Sequence, residues 1–282
     1  MNPSLSSTIG TSLSITMPIV RLHQVPNNQL AHFGVLQTLK NFQRSSSESS
    51  NTFKLIHLIR HAEGTHNVEK DYKNPIHLDA PLTTKGTQQC REFAKQDQSW
   101  KMELECILTS PMCRAIETAT YCFEDILFYD NSNARITSNI PMIAQEEWRE
   151  TVNYVCDKRR DTKEIQNQFA YIDYTSILHE HDPIWSKYEA RFGSASDHKI
   201  HRESNDSIGL QERILDAWKV LHSRPESSIA IVSHSALFMH MFDSYFENLQ
   251  DIIEYGDDNV ETYMRPRFAN CECRSVIMEW IS

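Results

Sequence analysis

No stretch of this 282-residue chain approaches the roughly 18 consecutive apolar residues that a membrane-spanning helix needs. The longest apolar runs are short, such as Ile229 to Val232, and match buried strands. A membrane is therefore not an expected partner. Positive charge is also scarce: 28 Lys and Arg stand against 38 Asp and Glu, giving a net charge of −10. A polyanion would be repelled over most of that surface, which argues against non-specific nucleic-acid binding. A small anionic ligand remains compatible wherever cations are concentrated locally. The seven cysteines are odd in number and include no C-x-x-C pair. A chain of this length needs no disulfides, so reduced thiols in a cytoplasmic protein are expected. With 40% hydrophobic and 23% charged residues, the chain can bury a full globular core.

Acids are absent before Glu48, where Ser4, Ser6, Ser7, Thr8, Thr11, Ser12 and Ser14 dominate. Acid-poor, hydroxyl-rich leaders direct import into organelles, but those are richer in Arg than a segment holding only Arg21, Lys40 and Arg44 as its bases. A partly disordered tail, with a short amphipathic piece around Leu30 to Phe42, is the favoured reading, and organellar import stays open. Ser45 to Ser50 reads as a flexible linker. The expected organisation is an extension and linker over residues 1–52 and one domain over 53–282.

From Lys54 the pattern changes. Lys54 to Ile59 is a short β-branched run consistent with a central strand. Thr83 is an N-cap for a helix to about Gln98. Cys106 to Thr109 predicts a second strand, with a helix beginning near Pro111 and carrying Arg114, Ala115 and Thr118. Ser207 to His222 predicts a helix, Ile229 to Val232 a strand, Ala236 to Phe246 a helix and Arg274 to Ile281 a last strand. This alternation implies a three-layer α/β/α sandwich with a mainly parallel central sheet. In such sheets ligands bind beyond the carboxyl ends of the strands.

Three of those strand ends hold residues suited to phosphate. They are Arg60-His61 with Asn67, Ser110-Pro111-Met112-Cys113-Arg114, and Ser233-His234-Ser235. With 16 Arg and 13 His, about 0.7 Arg-His pairs arise by chance, so Arg60-His61 alone shows little. The shared setting at strand-to-helix exits adds the weight. In phosphoryl transfer, charge spreads over the equatorial oxygens, so catalysis is largely positioning and electrostatic stabilisation. Arg60 and Arg114 offer bidentate donors, Asn67 a neutral amide, and His234 another donor if protonated. His61 would attack through one ring nitrogen while a hydrogen bond on the other fixes its tautomer. The arginines supply the positive charge, so neither a metal nor another cofactor is expected.

Arg60-His61 with Asn67 six residues after the histidine resembles the hallmark of the histidine phosphatase superfamily, with Ala62 where glycine is usual. Leu82-Thr83-x-x-Gly86-x-x-Gln89, Ser110-Pro111-x-x-Arg114-Ala115-x-x-Thr118 and Ser233-His234 are similar to its other segments. Trp148-Arg149-Glu150, Cys156 to Arg160 and Phe268 to Ser275 resemble the phosphoglycerate mutase-like proteins of plants and fungi. The resemblance covers roughly residues 54–281. It implies a phosphoglycerate mutase-like domain that is a metal-independent, acid-type phosphatase of phosphate monoesters, working through a phosphohistidine on His61. A mutase moving the phosphoryl group within a phosphoglycerate or phosphosugar is the alternative. Glu150 is the acid that matches the family position, ahead of Glu146 and Glu147, which are expected to face solvent or cap structure. It needs a proton when substrate binds, which burial or the neighbouring dianion favours. Ala62 is the smallest replacement for glycine and is tolerated unless the site needs a positive φ.

Other features admit plainer readings. Lys158-Arg159-Arg160 is either a second anion contact or a solvated basic turn. His179-Glu180-His181 and His198 to His201 lack a Cys or carboxylate framework and read as surface histidines. Cys271 and Cys273 read as buried thiols on one strand face, and His57 as a core or edge histidine. Trp185, Tyr188 and Arg191 lie in the region expected to set specificity. The expected partner is a small phosphorylated substrate; its identity and the oligomeric state are not specified by the sequence.

Overall fold

A computed structural model describes residues 17–25, 35–45, 50–96, 99–128, 140–197, 202–203, 208–242 and 252–281. In chain order the strands and helices are β1 (Ile19–Gln24), α1 (Val35–Ser45), β2 (Thr52–Arg60), α2 (Thr65–Glu69), α3 (Thr84–Lys95), β3 (Cys106–Thr109), α4 (Cys113–Cys122), α5 (Glu124–Phe128), β4 (Met142–Ala144), α6 (Thr162–Gln168), α7 (Pro183–Phe192), α8 (Ile208–Ser223), β5 (Ser228–Ser233), α9 (Ser235–Phe242), β6 (Ile253–Tyr255), α10 (Asp258–Met264) and β7 (Cys273–Ile281). Short 3-10 turns occur at Pro75–His77, Ser99–Glu103, Glu146–Trp148 and Val155–Asp157.

The strands form one seven-stranded sheet in the order β4-β3-β5-β2-β7-β1-β6. Six strands run one way; β7 alone opposes them, pairing antiparallel with β1 and β2. Side chains alternate between the two faces of a strand, and here both faces are apolar. Ile56, Leu58, Leu108, Ile229 and Ile231 point to one side. There they join Leu210, Ile214 and Trp218 of α8, Leu237 and Phe238 of α9, and Val260 of α10. Leu55, Ile59, Ile107, Ala230 and Val232 point to the other, against Cys90 and Phe93 of α3 and Ala115, Ile116 and Ala119 of α4. A central parallel strand buried on both faces reads as a near-continuous apolar run, which is why Ile229–Val232, and Lys54–Ile59 with its Leu and Ile pairs either side of His57, are legible as strands. The three-layer α/β/α architecture follows.

The sheet reaches further toward the N-terminus than the boundary read between residues 52 and 53. Ile19–Gln24 pairs with β7 through six registered residues and with β6 through three. The Ser and Thr surroundings hid its alternation: Val20 and Leu22 are fully buried, while Arg21 and His23 face outward to Glu254 and Glu279. The amphipathic piece near Leu30 to Phe42 is represented by α1; residues 1–16 and 46–49 of the extension and linker lie outside the described residues. Helix α3 stops at Lys95, and α9 is described only to Phe242.

His57 sits in the middle of β2, fully buried, stacked on Trp100 at 3.7 Å between ring centroids and bonded through Nδ1 to Ser275 Oγ at 2.7 Å. Burial lowers its pKa to about 3. The folded-state value lies below that of an unfolded chain, so its contribution to stability is present above about pH 6.5 and is lost as pH falls. Between about pH 7 and pH 5 the loss from this one group is about 2 kcal/mol. Urea unfolding at both pH values, on the protein and on His57→Asn, checks this. The variant should be less stable at neutral pH and lose about 2 kcal/mol less on acidification; equal losses would contradict the assignment.

Candidate active site

The strand register assembles the site. Arg60 pairs with Ser233 across β2 and β5, and Thr109 with Val232 across β3 and β5. The next residue of each strand therefore falls side by side at one edge of the sheet. The ladder continues past the strand ends, with His61 N donating to Ser233 O at 2.8 Å and Ser110 N to Val232 O at 3.0 Å. As a result the His61 and His234 rings lie 5.0 Å apart, and His234 Nε2 is 2.8 Å from Ser110 Oγ. At the far strand of this group, Thr109 pairs with Ala144, and Gln145 N donates to Thr109 O. That contact leads the chain from β4 towards Glu150.

His61 is 2% exposed and its Nδ1 is 2.7 Å from the Ala62 carbonyl oxygen. A carbonyl only accepts, so Nδ1 carries the proton and Nε2 keeps its lone pair. Burial, then the charges of Arg114 and Arg60, push His61 well below the ordinary imidazole range. His234 is pushed the same way by burial and Arg114. Next to His61, at 5.7 Å between centroids, lies His66, lowered to about 2 by burial first and Arg114 next. All three rings are therefore neutral around pH 7. His234, named as a further donor if protonated, is held neutral in the protein alone by burial first and Arg114 next.

Those guanidiniums are anchored on one side and open on the other. Arg60 donates through NH1 to Phe268 O. Arg114, 1% exposed, donates to Cys156 O at 2.8 Å and to Asp157 Oδ1 at 3.2 Å. The Nε atoms of Arg60 and Arg114, and the Nδ1 atoms of His66 and His234, are buried without a hydrogen-bond partner among the described residues. The two arginine Nε–H groups are buried donors that seek an acceptor, and a ring Nδ1 joins them where it carries the proton. Glu150 is half-buried; its carboxylate accepts from the backbone N–H groups of Thr151, Ala236 and Leu237, the latter two in the first turn of α9. It acts electrostatically on both Arg60 and Asp157. Asn67 accepts from Gly64 N through Oδ1, and its amide nitrogen is 3.0 Å from His66 Nε2.

The loop bearing His61 is gripped from behind by helices α3 and α4. Thr118 Oγ1 accepts from Ala62 N, Gln89 Oε1 from Glu63 N, and Thr83 donates to Glu63. Thr83 also caps α3 by accepting from Gly86 N at 2.9 Å. A Cβ on Gly86 would stand 2.2 Å from the Glu63 carbonyl oxygen, so only glycine lets α3 approach so closely. The spacings Leu82-Thr83-x-x-Gly86-x-x-Gln89 and Arg114-Ala115-x-x-Thr118 are thus clamps on residues 62 and 63.

The family model for the histidine phosphatase superfamily (branch 1) matches residues 56–128. A phosphoglycerate mutase-like protein of Arabidopsis thaliana is 30% identical over 249 residues, covering 80% of this chain and 84% of the plant protein. A Schizosaccharomyces pombe protein described as "Probable phosphatase" is 26% identical over 181 residues, covering 64% of this chain and 74% of the yeast protein. Among solved structures, a phosphoserine phosphatase mutant from Entamoeba histolytica aligns at 18% identity with a TM-score of 0.40, covering 79% of this chain and 89% of that one. The chain belongs to the histidine phosphatase superfamily.

Its place is with the phosphoglycerate mutase-like members, and a phosphatase-like enzyme is the functional class the relatives support. Against that background several sequence expectations resolve. Ala62 is fully buried and is not among the positive-φ positions of the described residues, which are Lys70, Asp79, Cys271 and Gly193, so its methyl group is accommodated. Glu146 does not face solvent freely: it accepts from the buried arginines Arg149 and Arg159. Of the basic run, Arg159 is spent on Glu146, Thr162 and the carbonyls of residues 179–181, and Arg160 on Asp79, Cys113 and Gln168. Lys158, half-buried, lies 5.8 Å above the Trp185 ring. His181 pairs with Asp161 and not with a metal-like cluster; residues 198–201 lie outside the described residues. Trp185 and Tyr188 are buried in a small cluster with Val152 and Val155, so they build the wall of this region from within.

Sequence reasoning gave no role to His66, Ser110 or Asp157, although Ser110 opens one of the three strand-exit segments. Burial, with Glu150 adding and Arg114 opposing, raises Asp157 to about 6. Its signal was present, since it lies between Cys156 and Lys158 in a segment already singled out. A Gly86→Ala variant tests the clamp: it should stay folded while kcat/KM on a phosphate ester falls by roughly 100-fold, because the His61 loop must move. Unchanged kcat/KM would show that the close approach is dispensable.

Proposed function

We propose that this protein hydrolyses phosphate monoesters through a phosphohistidine on His61, without a metal. The observation that carries the reading is the His61 Nδ1 to Ala62 O bond, which leaves Nε2 as the nucleophilic nitrogen. Arg60 and Arg114 flank it as cationic donors. In the first step the Nε2 lone pair forms a bond to phosphorus and the ester P–O bond breaks. A proton from Glu150 goes to the departing alcohol oxygen. Arg60, Arg114 and Asn67 hold the equatorial oxygens, with His234 as a further donor. A bound dianion favours protonation of neighbouring groups, which suits both the Glu150 proton and a donating His234. In the second step water attacks phosphorus, Glu150 takes its proton, and the P–N bond breaks to restore neutral His61.

The expected activity is hydrolysis of p-nitrophenyl phosphate that persists in excess chelator, with His61→Ala reducing kcat by about 10⁴-fold or more. Loss of activity on chelation would remove the metal-free part, and full turnover by His61→Ala would remove the nucleophile. The same assay with 2,3-bisphosphoglycerate and a monophosphoglycerate separates the mutase alternative, which requires transfer between them.

Glu150 is tested through the leaving group. Glu150→Gln should lower kcat by about 10²-fold or more on an alkyl phosphate, whose oxygen needs a proton. The loss on p-nitrophenyl phosphate, which leaves as a stable anion, should be much smaller. Equal losses on both substrates would assign Glu150 a positioning role instead.

A further inference from the structure

Behind the His61 loop, away from the phosphate side, three thiols from distant parts of the chain meet. Cys90 lies on α3, Cys122 is the last residue of α4, and Cys271 is in the turn that enters β7. All seven cysteines are free, but only these three form a cluster of potential metal-ligating groups among the described residues. Their sulfur atoms all lie within 4.8 Å of one another, and Cys122 Sγ is 3.7 Å from Cys271 Sγ. Two sulfurs bound to one tetrahedral zinc ion at about 2.3 Å each would be separated by roughly 3.8 Å. One separation therefore already equals that expected for a shared cation, and the other two lie within about 1 Å of it.

Access and charge agree with this. Cys90 and Cys122 are buried, whereas Cys271 is half-buried and lines a cavity of about 340 Å³ together with Gln89, Glu92 and Asn270. A small ion can approach Cys271 from that side, with a fourth position left towards the cavity. Three thiolates around a divalent ion leave an excess negative charge. The Lys101 ammonium, held by Phe93 O and Ala94 O, acts electrostatically on Cys122 and Cys271 and offsets it. Cys271 adopts a left-handed backbone, φ 60, uncommon for a residue with a side chain. That conformation turns its N–H onto Arg60 O and His61 O.

We infer that Cys90, Cys122 and Cys271 form a binding site for a thiophilic divalent cation of the zinc class. The site is structural and separate from the phosphate chemistry, and it holds whatever reaction His61 performs. Its ligands belong to the clamp on the His61 loop: Thr118, four residues before Cys122, holds Ala62 N; Gln89, next to Cys90, holds Glu63 N; and Asn270, next to Cys271, donates to His61 O. An ion there would tie α3, α4 and the β7 turn together directly behind the nucleophile.

The test is a cadmium titration of the reduced, chelator-treated full-length protein, followed by thiolate-to-cadmium charge-transfer absorption. This signal reports sulfur ligation and is blind to cation binding by the histidines of the active site. The expected result is saturation at one equivalent, reversal by competing zinc, loss of the band in Cys271→Ser and retention in Cys106→Ser. Absence of a saturable band, or its survival in Cys271→Ser, would overturn the site. If Cys271→Ser does not fold, alkylation of Cys271 in the unaltered protein decides. Zinc should slow it by at least about tenfold, and no protection would overturn the proposal.

Discussion

The parallel pairing of β2, β5 and β3 is the constraint on which the site depends. A parallel register places residue after residue of neighbouring strands at matching heights, about 4.8 Å apart. Arg60 opposite Ser233 therefore brings His61 beside His234, and Thr109 opposite Val232 brings Ser110 level with Ser233, from where its hydroxyl meets His234 Nε2 at 2.8 Å. No side chain has to reach far. The register itself is held by burial on both faces, since a one-residue slip would exchange Ile56 and Leu58 with Leu55 and Ile59 against two differently shaped helix layers. The geometry of the candidate site and the core packing are thus set by the same hydrogen-bond ladder.

Beyond the ends of the ladder the backbone must be fixed by other means. Ala62 N and Glu63 N would be buried donors without partners, and they are met by Thr118 and Gln89 from two different helices. The His61 carbonyl is met by Asn270 and Cys271 from the turn before β7. Three elements therefore converge on three consecutive residues. The loop needs no glycine at Ala62 because the conformation does not require positive φ there; the glycine requirement has moved to Gly86, where helix and loop touch.

Legibility in the sequence followed locality. The doubly buried strands announced themselves because Ile229–Val232 is an unbroken apolar run and Lys54–Ile59 is interrupted within its length only by His57, and Thr83 announced α3 as a cap. Strand β1 did not, because an edge-side strand with outward Arg21 and His23 looks like part of a polar tail unless its partners β7 and β6 are known. The residues of the phosphate-facing group were visible at strand exits, but the neutral state of His234 was not, since it depends on burial and on Arg114 lying close in space. Lys158 to Arg160 was ambiguous for a related reason: a buried arginine satisfied by carbonyls reads in sequence like an exposed one. The three thiols were hidden completely, because residues 90, 122 and 271 share no spacing pattern. Cysteine spacing detects only ligands that are close along the chain.

The arrangement of charge gives the site a direction. Two guanidiniums lie among three imidazoles that burial and repulsion keep neutral, so the protein alone holds more positive potential there than its nearby carboxylates cancel by contact. Asp157 is engaged with Arg114, and Glu150 is tied to the amides of α9. In the proposed reaction a dianion entering between Arg60 and Arg114 would offset the charge repulsion that adds to burial in keeping His66 and His234 neutral, while its own charge would favour protons on the groups around it. The donors that an anion needs are then strengthened by the arrival of the anion itself. His61 differs from its neighbours in one respect: its Nδ1 proton is committed to the Ala62 carbonyl, so the tautomer that keeps Nε2 free is fixed before any ligand binds. A backbone carbonyl performs this task without adding charge, whereas a carboxylate in its place would raise the ring's proton affinity and favour a second proton at Nε2.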